Sequence, residues 1–155
     1  MAWRFSNKML NEMLNAVRTQ LANGTIEIYS GSQPASANDA ATGTLLGRVS
    51  LYAGAWTAGS VTNGLEFDAA TARQLNKAAL ETWQFVGIAN GTAGWFRFRG
   101  NAADAGTADT TESFPRIDGR IATTGAEMNL SNLNIVTGAT TTVDAFLIRW
   151  PANIL

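Results

Sequence analysis

The chain contains neither cysteine nor histidine. Without cysteine there can be no disulfide, no zinc–thiolate site and no thiol nucleophile, so the fold must be held by its core alone. Without histidine the usual general base and the commonest transition-metal ligand are both missing, which leaves chiefly carboxylates, lysines and hydroxyls for any catalysis. Charge is also scarce. Charged residues are 15% of the 155 residues, with 11 Lys and Arg against 12 Asp and Glu and a formal net charge of −1. Such a balance offers no broad basic field to track phosphates, and no nucleic-acid partner is expected. No run of about 18 apolar residues occurs, so no membrane partner is expected either. The opening residues Met1-Ala2-Trp3-Arg4-Phe5-Ser6-Asn7-Lys8 carry an early positive charge but lack the apolar core of a secretion signal. The Asn-x-Ser/Thr matches at Asn23, Asn90 and Asn129 therefore read as turn or strand chemistry.

What remains is rich in Ala, Gly, Thr and Asn, at a length that fits one compact domain burying roughly 68–70% of its extended surface. Residues 6–22 carry Leu10, Leu14, Val17 and Leu21 at helical spacing, with Ser6 as N-cap and Asn23-Gly24 as the left-handed stop. Met9 and Met13 widen that stripe. Residues 25–30 alternate, with Ile26 and Ile28 on one face. Residues 31–43 hold no bulky apolar side chain and must form a surface connection. Further strands are expected over 44–52 and 65–68, while the alanines and Leu75 of 69–81 favour a helix by propensity.

In Trp95-Phe96-Arg97-Phe98-Arg99 the alternation assigns Phe96 and Phe98 to the core and Trp95, Arg97 and Arg99 to a wet face. Residues 117–121 can pair with this run, setting Arg97 or Arg99 against Asp118 for about 0.2–1 kcal/mol. Met128 and Leu130 alternate in one phase and Leu133 and Ile135 in the other, so a bulge or bend is expected near Ser131-Asn132. Residues 140–150 read as one strand, with Val143, Ala145 and Leu147 on one face and Phe146, Ile148 and Trp150 on the other. Apolar residues on both faces imply cover on both sides, from the helix or a neighbouring subunit. The expected fold is mainly β, an antiparallel β-sandwich or jelly-roll-like barrel with one N-terminal amphipathic helix. Residues 1–24 form the arm and helix and 25–155 the β-sandwich.

No constellation of catalytic, metal-ligating or cofactor-binding residues emerges. Glu66, Asp68, Asp118 and Asp144 lie on or beside strands but read as ordinary surface acids, and no serine is followed by lysine at Ser-x-x-Lys spacing. Asp104, Asp109 and Glu112 crowd the segment 100–115, yet match no calcium-loop pattern, so a solvated acidic loop is expected. The aromatics are the stronger lead. Trp56 and Trp95 would anchor a partner if exposed, while the competing reading for Trp95 is cation–π stacking under Arg97 or Arg99. Trp3, Phe5, Met9 and Met13 crowd the start of the chain and either enter its own core or dock on another chain. Phe146, Ile148 and Trp150 complete the candidate contact residues.

Two blocks carry a resemblance. Ile28-Tyr29-Ser30-Gly31-Ser32-Gln33-Pro34, followed by Thr42-Gly43-Thr44-Leu45-Leu46, and later Gly91-Thr92-Ala93-Gly94-Trp95-Phe96-Arg97-Phe98, resemble a family of small virion proteins of tailed bacteriophages. The similarity runs from Asn7 to Pro151, with gaps at 53–77 and in the acidic loop. It implies a strand over 82–89 after a variable connection, and hence at most a short helical turn within 69–81. It further implies a non-catalytic virion component made in the host cytoplasm. The preferred role is a capsid decoration, or cement, protein on the outer surface of the phage head, a homotrimer bound to the major capsid protein. A tail, neck or fibre-base adaptor and a carbohydrate-binding β-sandwich module are the alternatives.

Overall fold

The computed structural model describes residues 4–150. Among these residues one helix, α1 (Asn7–Leu21), precedes ten strands: β1 (Thr25–Ser30), β2 (Leu45–Leu51), β3 (Gln74–Asn76), β4 (Trp83–Val86), β5 (Gly91–Arg99), β6 (Arg116–Ala122), β7 (Met128–Asn129), β8 (Asn134–Ile135), β9 (Thr140–Val143) and β10 (Leu147–Arg149). The main sheet runs β7-β6-β5-β1-β2-β4-β9, with β8 added to β5 and β10 paired separately with β3. All pairings are antiparallel except β6 with β7. The result is a mainly β, barrel-like architecture in which the sheet curls into a half-barrel, with the single helix at the N-terminus.

The helix follows from its sequence. Ser6 caps it by accepting from the Met9 N–H at 3.3 Å, and Asn23 ends it at φ 56. Leu10, Leu14 and Leu21 are buried, as the periodicity requires. The concave side of the sheet collects Ile26, Ile28, Val49, Trp83, Phe85, Phe96 and Phe98. Phe67, Trp83, Phe96, Phe98 and Phe146 meet with ring centroids 5.3–6.1 Å apart. Such aromatic pairs contribute about 0.5–1.5 kcal/mol each beyond burial. Gly47 makes this packing possible, because a Cβ there would sit 2.2 Å from the Phe85 ring.

The structure corrects several expectations. The segment 140–150 is not one strand: β9 belongs to the main sheet and β10 leaves it to pair with β3. Residues 144–146 make the crossing, Phe146 turns into the aromatic core, and Ala145 and Leu147 are exposed. Phe146 is thus a core residue rather than a contact, while Ile148 and Trp150 are partly buried against the core. Residues 69–81 form neither helix nor helical turn but β3, entered through a tight turn at Ala72 and Arg73 with φ 49 and 64. Helix α1 fixes that turn, as Asn15 Oδ1 accepts from Ala70 N–H and Asn11 Oδ1 from Arg73 N–H, both at 2.9 Å. Residues 65–68 make only isolated bridges, Gly24 to Leu65 and Phe67 to Lys77. The expected phase reset does occur, as a break between β7 and β8 at residues 130–133.

Candidate interaction surface

On the convex side of the sheet the strands place charged side chains in register. Glu27 lies opposite Arg97 and Arg48, Arg97 opposite Asp118, and Arg99 opposite Arg116. This is the face that alternation assigns to solvent, yet Trp95 and Arg97 have no exposed surface and Arg99 retains 4%. Trp95 is therefore not available as an exposed contact. Its ring stacks on Tyr29 at 4.6 Å and lies 5.5 Å from the Arg97 guanidinium carbon, which is the cation–π arrangement.

Two loops, residues 31–44 and 100–115, provide the cover. They bond to one another through Ala41 N–H to the Gly106 carbonyl at 2.8 Å and Asp109 N–H to the Asn38 carbonyl at 2.7 Å. They bond to the arginines beneath through the carbonyls of Asp39, which accepts from Arg97 at 3.0 Å, and of Ala37, which accepts from Arg116 at 3.3 Å. Arg99 also donates to the Asp104 carbonyl. Arg97 grips Asp118 through two bonds at 2.8 and 2.7 Å, and Arg116 grips Asp104 at 2.7 and 2.6 Å. Glu27 accepts from Arg48 at 2.8 Å and from the Tyr29 hydroxyl at 2.9 Å, and forms an ion pair with Arg99 at 3.0 Å.

Two of the three acids of the segment 100–115, Asp104 and Asp109, are consequently withdrawn from solvent, while Glu112 stays exposed. Asp104 is pulled inward by Arg116, and the Asp109 side chain accepts from the N–H groups of Thr111, Ser113 and Phe114. Burial pushes the Asp104 carboxyl up, but bonds from Arg116 and the Gly106 N–H, with the charges of Arg116 and Arg99, outweigh it and leave it below the usual range. The N–H groups of Ser113 and Phe114, with Thr111, hold the Asp109 carboxyl below its usual range as well. Burial, then the neighbouring Glu27 carboxylate, push the Tyr29 phenol upward, so it stays a hydrogen-bond donor. No group of three or more metal-ligating side chains occurs among the described residues.

The cover stops at β2. Beyond it, the convex face of β2 and β4 is open and forms a groove of about 330 Å³ lined by Arg48, Ser50, Trp56, Val86 and Ile88 and the turn at 53–55. Val86 is 40% and Ile88 57% exposed, and neighbouring Val136 is 55% exposed. Trp56 forms one wall. Its indole N–H donates to the Asn23 carbonyl at 2.9 Å, and the guanidinium carbons of Arg48 and Arg99 lie 5.9 and 5.7 Å from its ring. The Arg48 side chain is 41% exposed and supplies the only charge among the lining residues.

A strained turn closes the groove. Gly54 N–H donates to the Leu51 carbonyl at 2.9 Å, with Tyr52 and Ala53 both at φ 53. That is a type I′ turn, which favours Asn and Gly, built here from residues that resist positive φ. Tyr52 stands exposed at its tip.

Of the candidate contacts named from sequence, Trp56 lies in this groove, whereas Phe5 and Met9 are exposed on and before α1 and Met13 is half-buried there. The structure does not bring these two sets together into one site. Trp3 lies outside the described residues. Arg48, Tyr52, Val86 and Ile88 were not singled out from sequence. The available signal was Phe85-Val86-Gly87-Ile88, apolar in both phases, which marks a strand with an apolar outer face. No helix among the described residues is long and apolar enough to cross a membrane. No family model, curated protein or solved structure matches this chain.

Proposed function

We propose that this protein is a non-catalytic structural component of a tailed-phage particle, a decoration protein that adheres to the head shell through the open convex face of β2 and β4. The observation that carries this reading is the contrast across one sheet face. Half is sealed by two loops and a lattice of arginine–carboxylate bonds, and the other half presents Val86, Ile88, Trp56 and Tyr52 with a single arginine. Apolar and aromatic side chains around one guanidinium suit a protein interface, where Trp, Tyr and Arg concentrate binding energy. The groove offers no second titratable group for acid–base work.

The two sequence blocks that carry the resemblance meet in the fold. Tyr29 stacks on Trp95, and Gly94 lies so close to Gly31 that a Cβ would stand 2.0 Å from the Gly31 carbonyl oxygen. The blocks thus form one structural joint. The carbohydrate-module alternative loses Trp95, leaving Trp56 without an aromatic partner in the groove.

The test is to mix the purified chain with shells lacking it and to measure bound copies. We expect the native chain to bind in hundreds of copies per head, and Val86→Asp/Ile88→Asp, at exposed positions that leave the core intact, to bind at least tenfold more weakly. Equal binding of the two proteins rejects the groove as the contact. Three to twelve copies per particle instead place the chain in the neck or tail.

A further inference from the structure

The main sheet ends at β9, Thr140-Thr141-Thr142-Val143, a four-residue edge whose sequence lacks the residues that keep an edge from pairing. It has no proline, lysine or glycine, and no bulge interrupts its register with β4. The opposite edge is managed differently: β7 is two residues long and is flanked by the exposed Arg120–Glu127 ion pair.

Backbone direction at β9 follows from its neighbours. Val86 lies opposite Thr140, and the Gly87 N–H donates to the Ala139 carbonyl at 2.9 Å. Alternation in an antiparallel ladder then turns the backbone groups of residues 141 and 143 toward β4 and those of Thr140 and Thr142 outward. The other side of β4 obeys the same alternation, with Tyr52 N–H to the Thr82 carbonyl and Ile88 N–H to the Leu46 carbonyl, both at 2.9 Å. Among the described residues the outward backbone groups of Thr140 and Thr142 have no partner.

We propose that β9 pairs antiparallel with β9 of a second copy across a two-fold axis, joining two sheets into one. Opposed residues in a ladder must share a face, so the register is either Thr141 against Thr141 or Thr142 against Thr142. The first sets Thr140 against Thr142 twice. The second sets Thr140 against Asp144. Threonine pairs are among the favourable cross-strand combinations, and neither register opposes Asp144 with its own copy. A strand of β-branched, uncharged residues with this symmetry is complementary to itself.

The consequence reaches the groove. Pairing about a two-fold axis keeps the convex faces of both copies on one side of a continuous sheet, so two grooves point the same way. Two weak contacts on a repetitive surface then act together, the second at high effective concentration. This inference stands apart from the virion reading, whose family resemblance implies a trimer.

Sedimentation velocity of the full chain over a concentration series tests it. The expected result is a monomer–dimer equilibrium that Thr142→Pro shifts to monomer. The variant should keep its circular dichroism and cooperative melting, because an outward N–H at an edge is dispensable to the fold. Thr142→Lys, which sets like charges across the seam, should do the same. The chain has no cysteine, so Thr142→Cys and Thr140→Cys/Thr142→Cys report the register by intermolecular disulfide formation. A native chain that is monomeric throughout, or an oligomer undiminished in both Thr142→Pro and Thr142→Lys, overturns the proposal. An oligomer that survives while still binding shells rejects the seam and leaves the virion reading intact. A β9 dimer that fails to bind shells does the reverse.

Discussion

Arg97 is the residue on which the convex side turns. Its side chain has no exposed surface, its partner Asp118 keeps 5%, and the guanidinium also holds the Asp39 carbonyl of a covering loop. Removing one member of such a pair leaves the other charged, buried and alone, a cost of about 3–5 kcal/mol. Asp118→Asn and Arg97→Ala should each lower stability by that amount in urea unfolding, while Arg97→Met/Asp118→Leu should recover much of the loss. If the single variants lose under about 1 kcal/mol, the pair behaves as an exposed bridge and the burial assigned to it is wrong. Alternation in the sequence set Arg97 or Arg99 against Asp118, of which the structure forms the Arg97 pair, but left that face in solvent. The reason is physical: the covering loops are rich in Ala, Thr, Gly, Ser and Asp, with Phe114 their one large apolar side chain, and they seal the face by carbonyl acceptors and inward carboxylates, which leave little apolar signature. Gly94 makes a sharper point at the same scale. Gly94→Ala drives a methyl group to 2.0 Å from the Gly31 carbonyl oxygen, a backbone atom rather than a flexible side-chain end, so it should destabilise strongly. Gly91→Ala meets only the end of the Leu46 side chain, at 2.8 Å, and should be milder in the same thermal melt.

At the scale of elements, the segment 100–115 behaves as a clamp. Asp104 and Asp109 both titrate below their usual range in the folded chain. A carboxyl depressed by folding contributes stability that is complete above its unfolded value, about 4, and is lost as pH falls through the folded value. Stability from these two groups should therefore be level from pH 7 to 5 and decline below about pH 4, with hydrogen exchange of 100–115 rising first. Asp104→Asn should flatten part of that decline, and an unchanged acid profile would contradict the clamp. The turn at Tyr52 and Ala53 makes the opposite case. Two non-glycine residues at positive φ cost roughly 1–2 kcal/mol each, so Tyr52→Asn/Ala53→Gly should raise the melting temperature while weakening shell binding. Elements with strong periodicity, α1 and β1, β2, β5 and β6, were legible from sequence. The strand β3 was not, because helix-favouring alanines were overridden by Asn11 and Asn15 of α1 holding the turn before it. Nor was the split of 140–150, where a continuous apolar pattern conceals strands of two different sheets.

Over the whole molecule, the sheet separates three tasks. Its concave side holds an aromatic core, half of its convex side is locked by charged bonds under two loops, and the other half is left open beside an unpaired edge. Among the described residues, only Trp56 of the sequence-named contacts lines that open region, since an exposed face is recognised by what fails to cover it, and this emerges only once the loops are placed. Adhesion through this face, as proposed above, is tested most directly by comparing backbone hydrogen exchange in the free chain with that in particle-bound chain. We expect slowed exchange at residues 48–56 and 84–88 on binding, with α1 and the segment 100–115 unchanged. Protection confined to α1, or none in any segment of the bound chain, would contradict it.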